Sequence, residues 1–222
     1  MSRLPRIVVP GVPHHVTQRG NRRERIFFRD EDYALYRDLL AEACELNRTE
    51  VWAYCLMPNH VHLILVPETV TSLAKAMGET HRRYAGFINA RSRQTGHLFQ
   101  GRFSSVAMDE AHLLAAARYV ALNPVKAKLV DKAEHWPWSS TKAHFRAQDD
   151  ELATVEPLIN RVGDFRKFLD IDPEPALIAA LSEGQSVGRP LMHDSLIREI
   201  EIRLGKAILP AKRGRKPSSR AA

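Results

Sequence analysis

Two histidines, His60 and His62, flank one valine in the run Met57-Pro58-Asn59-His60-Val61-His62-Leu63-Ile64-Leu65-Val66. A Val/Ile/Leu-rich stretch entered from a Pro-Asn turn predicts a buried β-strand. Side chains on a strand alternate between faces, so His60 and His62 project to one side and Val61 to the other. Two imidazoles so placed can share a divalent metal through ring nitrogens at about 2.0–2.1 Å. The alternative is a pair of half-buried histidines bonded to carbonyls or water.

A second candidate group lies downstream, in Ala115-Ala116-Ala117-Arg118-Tyr119-Val120-Ala121-Leu122-Asn123-Pro124-Val125. Asp109 supplies an N-cap, and the Ala/Leu content that follows favours a helix. Tyr119 and Asn123 are four residues apart and would stack on one face of it. Pro124 disfavours helical geometry at Asn123, so the helix is expected to end or kink there. A phenol and an amide oxygen could then be presented together to a metal-bound phosphate. Otherwise Tyr119 is a packed aromatic and Asn123 a helix terminator.

The elements that must hold these residues can be read along the chain. A strand is expected at His14–Gln18, followed by a basic turn from Arg19 to Arg25. A helix fits Asp30–Leu46, with Asp30 as cap and Tyr33, Tyr36, Leu39, Leu40 and Ala43 at helical spacing. Strands at Glu50–Leu56 and His60–Val66 form a hairpin around Pro58-Asn59. A second helix covers Thr71–Ala90, with Leu73, Met77, Tyr84, Phe87 and Ile88 as its apolar face and Lys75, Arg82 and Arg83 on the other. A fourth strand, Leu98–Met108, is broken at Gly101, and the Tyr119 helix follows. The order βαββαβα predicts an α+β, ferredoxin-like antiparallel sheet with helices on one face, the histidine strand central, and the opposite face open to the Tyr119 helix. Beyond Trp136-Pro137-Trp138-Ser139-Ser140 the character changes. The expected organisation is a domain over 1–148, a small C-terminal helical appendage over 149–211 with helices near Glu174–Glu183 and Asp194–Leu204, and a basic tail over 212–222. The appendage could bind DNA or brace the core.

Charge is uneven along the 222 residues: +7 over 1–148, −5 over 149–211 and +5 over 212–222, for a net +7. A basic body and tail around an acidic segment point to a polyanionic partner. Arg19, Arg22 and Arg23 in the basic turn, Arg82 and Arg83, and Arg102 are the candidate phosphate contacts. Phe27, Phe28 and Phe103 could stack unpaired bases or simply pack the core. In the tail, Arg213-Gly214-Arg215-Lys216-Pro217 resembles a minor-groove-binding hook interrupted by Lys216, with Arg213 and Arg215 as contacts. No run approaches the ~20 apolar residues of a membrane span, and no signal segment opens the chain. The two cysteines, Cys44 and Cys55, read as buried thiols in a reducing compartment. No Gly-x-x-x-x-Gly-Lys loop is present, so no nucleotide cofactor is expected. A cytoplasmic, nucleoid-associated monomer is the expectation.

Val16-Thr17-Gln18-Arg19-Gly20-Asn21, Met57–Val66, Gly101-Arg102-Phe103 and Tyr119-Val120-Ala121-Leu122-Asn123-Pro124-Val125-Lys126-Ala127 together resemble the REP-associated tyrosine transposases. These are bacterial relatives of the single-tyrosine transposases that move insertion sequences as single-stranded DNA, and the likeness runs in order over roughly residues 5 to 145. It implies Tyr119 as nucleophile and His60 and His62 as ligands of Mg²⁺ or Mn²⁺, joined by Asn123. A related family carries Gln where Asn123 stands, one methylene longer. The implied substrate is a single-stranded extragenic palindromic (REP) hairpin with a short 5′ guide. A hairpin-binding regulator that does not cut, or a relaxase-like replication initiator, are the competing functions. Initiators often carry two tyrosines on the catalytic helix, whereas Tyr119 is alone between Asp109 and Lys128.

Overall fold

The structure, a computed structural model, describes residues 6–172, 174–205 and 207–208, without the side chains of 182–187. Four strands, β1 (His14–Arg19), β2 (Thr49–Met57), β3 (His60–Pro67) and β4 (Ser104–Ala107), form one antiparallel sheet in the order β2-β3-β1-β4. This order follows from two split βαβ units: each crossover helix returns the chain to one face, and the β2–β3 hairpin sits between them. The histidine strand β3 is central, as the sequence pattern predicts.

Helices α1 (Asp30–Leu46) and α2 (Ser72–Ser92) cover one face. Their Tyr33, Tyr36, Leu40, Leu73, Met77 and Tyr84 bury against Val16, Tyr54, Leu56, Val61, Leu63 and Leu65 of the sheet. Each such side chain withdrawn from water contributes about 1.5–3 kcal/mol. Helix α3 (Glu110–Lys126) lies on the opposite face, where Ala116, Ala117, Val120 and Ala121 meet Ala53, Cys55 and Ile64. Small side chains on both sides let this helix approach the strands closely.

Several local expectations are corrected. Asp30 does not cap α1: Arg29 is the N-cap, and the buried Asp32 carboxylate accepts from the N–H groups of Phe28 and Arg29 while pairing with Arg91. A carboxylate three residues into the helix reaches the orphan donors better than the one at its first position. Helix α3 does not stop at Asn123 but runs through Pro124 to Lys126. So near the C-terminus the proline forfeits one hydrogen bond, and the N–H groups of Ala127 and Leu129 close the end on the carbonyls of Asn123 and Pro124. The Asp109 cap is as expected, its carboxylate accepting from the His112 N–H. Phe87 is 46% exposed instead of buried, with the Arg91 guanidinium over its ring. The fourth strand is only Ser104–Ala107, because Gly101 at φ 65° breaks the pairing that an isolated bridge between Gly20 and Phe99 begins.

Residues past 148 join the body. Short helices α4 (Thr141–Arg146), α5 (Glu156–Val162) and α6 (Phe165–Asp170) precede α7 (Pro175–Val187) and α8 (Asp194–Leu204). Leu158, Phe165, Phe168 and Leu181 enter the core around α3, and Ile197 and Ile200 pack on Val9 and Ala107. Leu191 extends the free edge of β4 through bonds to Ala107 and Asp109, while Trp138 and Ser140 do the same for β2 at Leu56 and Tyr54. Both sheet edges are thereby covered. Cys44 and Cys55 are buried free thiols, and burial raises the Cys44 thiol to about 12. Among the described residues no helix is long and apolar enough to cross a membrane.

Candidate active site

The pleat that turns Val61 and Leu63 toward α1 and α2 turns His60, His62 and Ile64 toward α3. On the neighbouring strand the register sets Arg19 opposite His60, Thr17 opposite His62 and His15 opposite Ile64. One end of the α3-facing surface is therefore polar where the rest is apolar.

Tyr119 projects from α3 into this polar end. Its ring lies edge-on to His62, with centroids 5.2 Å apart at 85°, and 6.2 Å from the His15 ring. The His60 and His62 rings are 4.8 Å apart at 83°. Asn123 follows one turn after Tyr119 and is buried. The Lys126 ammonium sits 5.4 Å from the centre of the Tyr119 ring. Sequence and fold thus bring Tyr119, His60 and His62 together from elements 59 residues apart in the chain.

The hydrogen bonds around the histidines define which nitrogens are available. His60 Nδ1 donates to Asn59 Oδ1 at 2.6 Å, and the Asn59 amide is oriented by its own donation to the Arg23 carbonyl. That leaves the lone pair of a neutral His60 on Nε2. His62 Nδ1 meets His15 Nε2 at 3.0 Å, while His62 Nε2 is buried without a hydrogen-bond partner. Burial holds His60 down to about 4, assisted by the charge of Arg19. His62 is also held well below its ordinary value, by burial first and then by His15, His60 and Arg19. Both rings are neutral at pH 7, the form that binds metal.

A metal ion fits these residues on one observation, the buried and unpartnered Nε2 of His62 beside His60 and Tyr119, since most buried polar atoms in proteins have a partner. The available donors are the two imidazoles, and Asn123 lies one helical turn beyond Tyr119. Among the described residues no group of three or more His, Cys, Asp or Glu side chains could hold a metal. Two imidazoles would leave most coordination positions of a divalent ion open.

The predicted nucleic-acid contacts divide. Arg19 is beside His60, and Arg22 and Arg23 occupy an exposed 3₁₀ turn directly after β1. Both take left-handed backbone angles, at φ 53° and 64°, a strain of the kind concentrated at functional sites. Gly20 makes the turn possible: a Cβ there would lie 2.2 Å from the Glu24 carbonyl oxygen. Arg102 is exposed in the turn before β4. Arg82 and Arg83 stand apart on α2, in the layer behind the sheet, paired with Glu79 and Glu42. Phe27 and Phe103 are core residues, whereas Phe28 is half exposed. Arg213 and Arg215 fall outside the described residues.

Two residues at the site escape a reading of motifs alone, His15 and Lys126. His15 carried a usable signal, because alternation along β1 places it on the face of Arg19, and the βαββαβ order makes β1 the neighbour of β3. Lys126 required α3 to continue past Pro124.

The chain resembles known proteins over the same stretch. The family model described as transposase IS200 like matches residues 9–123. A curated REP-associated tyrosine transposase of Haemophilus influenzae is 25% identical over 124 residues, covering 51% of this chain and 70% of the relative. A solved REP-associated tyrosine transposase bound to a REP hairpin superposes with a TM-score of 0.57 at 21% identity, over 69% of this chain and 92% of that one. The family match begins before β1, takes in both histidines and Tyr119, and ends on Asn123; spanning more than half the chain, it makes this protein a member of the IS200-like transposase family.

Proposed function

We propose that this protein cuts and rejoins single-stranded DNA at palindromic REP hairpins through a 5′-phosphotyrosine at Tyr119, with a divalent metal held by His60, His62 and Asn123. The observation that carries the reading is the convergence of Tyr119 on a histidine pair whose second imidazole keeps a buried, unpartnered Nε2. The hairpin comes from the relatives, one of which is solved with a REP hairpin bound.

Tyr119 attacks the scissile phosphorus through its hydroxyl oxygen. The new P–O bond forms as the bond to the 3′ oxygen breaks. The phenolic proton passes to water, and the leaving oxygen takes one up to become a 3′-OH. The product retains a phosphodiester, so another 3′-OH can reverse the step and join strands without a nucleotide cofactor. Lys126 places positive charge beside the ring where phenolate charge develops. When bound, the metal polarises the phosphoryl oxygens and steadies the departing 3′ oxygen. Arg19, Arg22, Arg23 and Arg102 anchor the DNA backbone, a positioning role that carries no sequence information of its own.

The remaining organisation belongs to the same proposal. Residues 1–148 form the catalytic domain. Within 149–211 the helices brace it, a role supported by the burial of Leu158, Phe165 and Phe168 in the shared core. Residues 212–222 supply a basic tail. The protein acts as a cytoplasmic, nucleoid-associated monomer.

The test is incubation with a single-stranded REP hairpin and Mn²⁺, followed by a denaturing gel. A protein–DNA adduct that depends on the metal is the expected result. Tight hairpin binding with no adduct under any divalent ion would overturn the enzyme reading in favour of a regulator that binds without cutting.

A further inference from the structure

We infer that His15 is the positioning residue for the metal site: it accepts a hydrogen bond from His62 Nδ1 and so fixes His62 in the tautomer whose Nε2 can ligate. The inference rests on the metal reading proposed above. A neutral imidazole has one donor and one acceptor nitrogen, so the bond at one nitrogen decides what the other can do. The 3.0 Å contact between His15 Nε2 and His62 Nδ1 can be made in two ways. If His15 donates, the proton of His62 sits on Nε2, and the buried Nε2 becomes a donor with nothing to receive it. If His62 donates, its Nε2 carries a lone pair aimed into the site beside His60 and Tyr119. The second arrangement leaves the proton of His15 on its own buried, unpartnered Nδ1, so each arrangement strands one buried N–H, and only the second gives the His62 Nε2 a ligand to bind.

The ring geometry favours a well-formed bond. The two rings are inclined by only 16°, and their centroids are 5.2 Å apart. With nitrogens at 3.0 Å, this separation is that of rings meeting edge to edge in nearly one plane, which points the lone pair of one nitrogen at the proton of the other. His15 is completely buried, so water does not compete for either nitrogen. The arrangement also matches that of His60, whose Nδ1 is engaged by Asn59. Each histidine of the pair thus has its own partner behind it, a neighbouring amide for one and a cross-strand imidazole for the other. Metal-binding histidines generally have their second nitrogen engaged in this way, and loss of such a partner typically costs 10–100-fold in metal affinity.

Two measurements test this. Long-range ¹H–¹⁵N spectra of the metal-free wild-type protein report the tautomer of His62 directly; a proton on Nδ1 is expected, and a proton on Nε2 overturns the inference. Calorimetric titration with Mn²⁺ then compares wild type with His15→Leu and His15→Gln. The Leu variant should bind about 10–100-fold more weakly, while Gln, whose Oε1 can accept from His62, should recover most of the loss. A folded Leu variant with wild-type affinity overturns the inference. If Leu fails to fold, a Gln variant that binds no better than His62→Ala overturns it equally. Failure of the metal reading has its own signature, since His60→Ala would then bind Mn²⁺ as wild type does whatever the tautomer of His62.

Discussion

The two faces of the sheet are built from alternate residues of the same strands, yet they are finished differently. Toward α1 and α2 most inward positions are apolar or aromatic; the buried His14 and Gln18 on this side engage the backbone at Val9, Val12 and Gly101, the buried phenol of Tyr84 donates to the Ile26 carbonyl at 2.6 Å, and Ser105 Oγ is left without a partner. Toward α3 the apolar packing ends at Ile64, and His15, His60 and His62 follow, with unpartnered nitrogens on His15 and His62. The first face engages the ring nitrogens of its buried His14, whereas the second leaves imidazole nitrogens unpartnered beside Tyr119.

The largest effect should come from the smallest change on the α3 face. Tyr119→Phe removes one hydroxyl and keeps the ring that packs on His62. The covalent adduct should vanish, with hairpin affinity and melting temperature nearly unchanged. Persistence of the adduct on a denaturing gel would remove Tyr119 from the mechanism.

Next in size is a contrast in stability. Leu63→Ala, on the α1/α2 face, deletes a fully buried side chain and should cost about 2–5 kcal/mol. The double variant His15→Leu/His62→Leu removes both partners of a hydrogen bond, together with their orphaned nitrogens. Replacing both partners by apolar groups can be nearly neutral or stabilising, so the double variant should be at least as stable as wild type while losing metal-dependent cleavage. Urea unfolding measures both. A loss in the double variant as large as that of Leu63→Ala would mean that the two faces are energetically alike.

These contrasts also explain what the sequence makes legible. Strands β2 and β3 and helix α1 are readable because alternation and helical spacing directly encode which side is buried. The pair His60 and His62 is readable for the same reason. Phe87 is misplaced because an aromatic at the margin of a helical stripe can turn outward once Arg91 covers it. Helices α4 to α6 are hidden because they are short, and Phe165 and Phe168 become core residues only through contact with α3. The contact between His15 and His62 depends on cross-strand register, which no local pattern contains. The continuation of α3 through Pro124 is likewise a matter of position within the helix, not of residue type.

Acid should weaken both faces, because His14 and His81 of α2 are held down by burial on the α1/α2 side as His15 and His62 are on the α3 side. Burial holds His14 and His15 down to about 4 and His62 well below 6.5. The folded protein keeps these rings neutral while the unfolded chain takes up protons from about 6.5 downward. Their contribution is therefore fully present above about pH 6.5 and is lost progressively as pH falls through the folded values, each group adding about 1.4 kcal/mol per pH unit to the slope. Urea midpoints measured from pH 7 to 4.5 should fall steadily, and more shallowly in His15→Leu. A flat profile would show that these rings are not held neutral by the fold.

The smallest expected effect separates the arginines of the two sides. Arg22 and Arg23 are exposed in the turn beside the site, whereas Arg82 and Arg83 are paired with Glu79 and Glu42 on the layer behind the sheet. A cation that contacts a phosphate releases counterions, so its removal lowers the slope of log affinity against log salt by about 0.7 for single-stranded DNA. Arg22→Ala/Arg23→Ala should therefore flatten the slope by about 1.4 if both touch the backbone. Arg82→Ala/Arg83→Ala should leave it nearly unchanged, because a hairpin held at Tyr119 lies across the sheet from α2 and the two charges already have carboxylate partners. Cleavage at saturating DNA should survive both changes. Equal flattening by the two pairs would extend the DNA path around the sheet edge to α2 and restore Arg82 and Arg83 as contacts. Flattening by the α2 pair alone would place the hairpin on the wrong face and undo the distinction between the two.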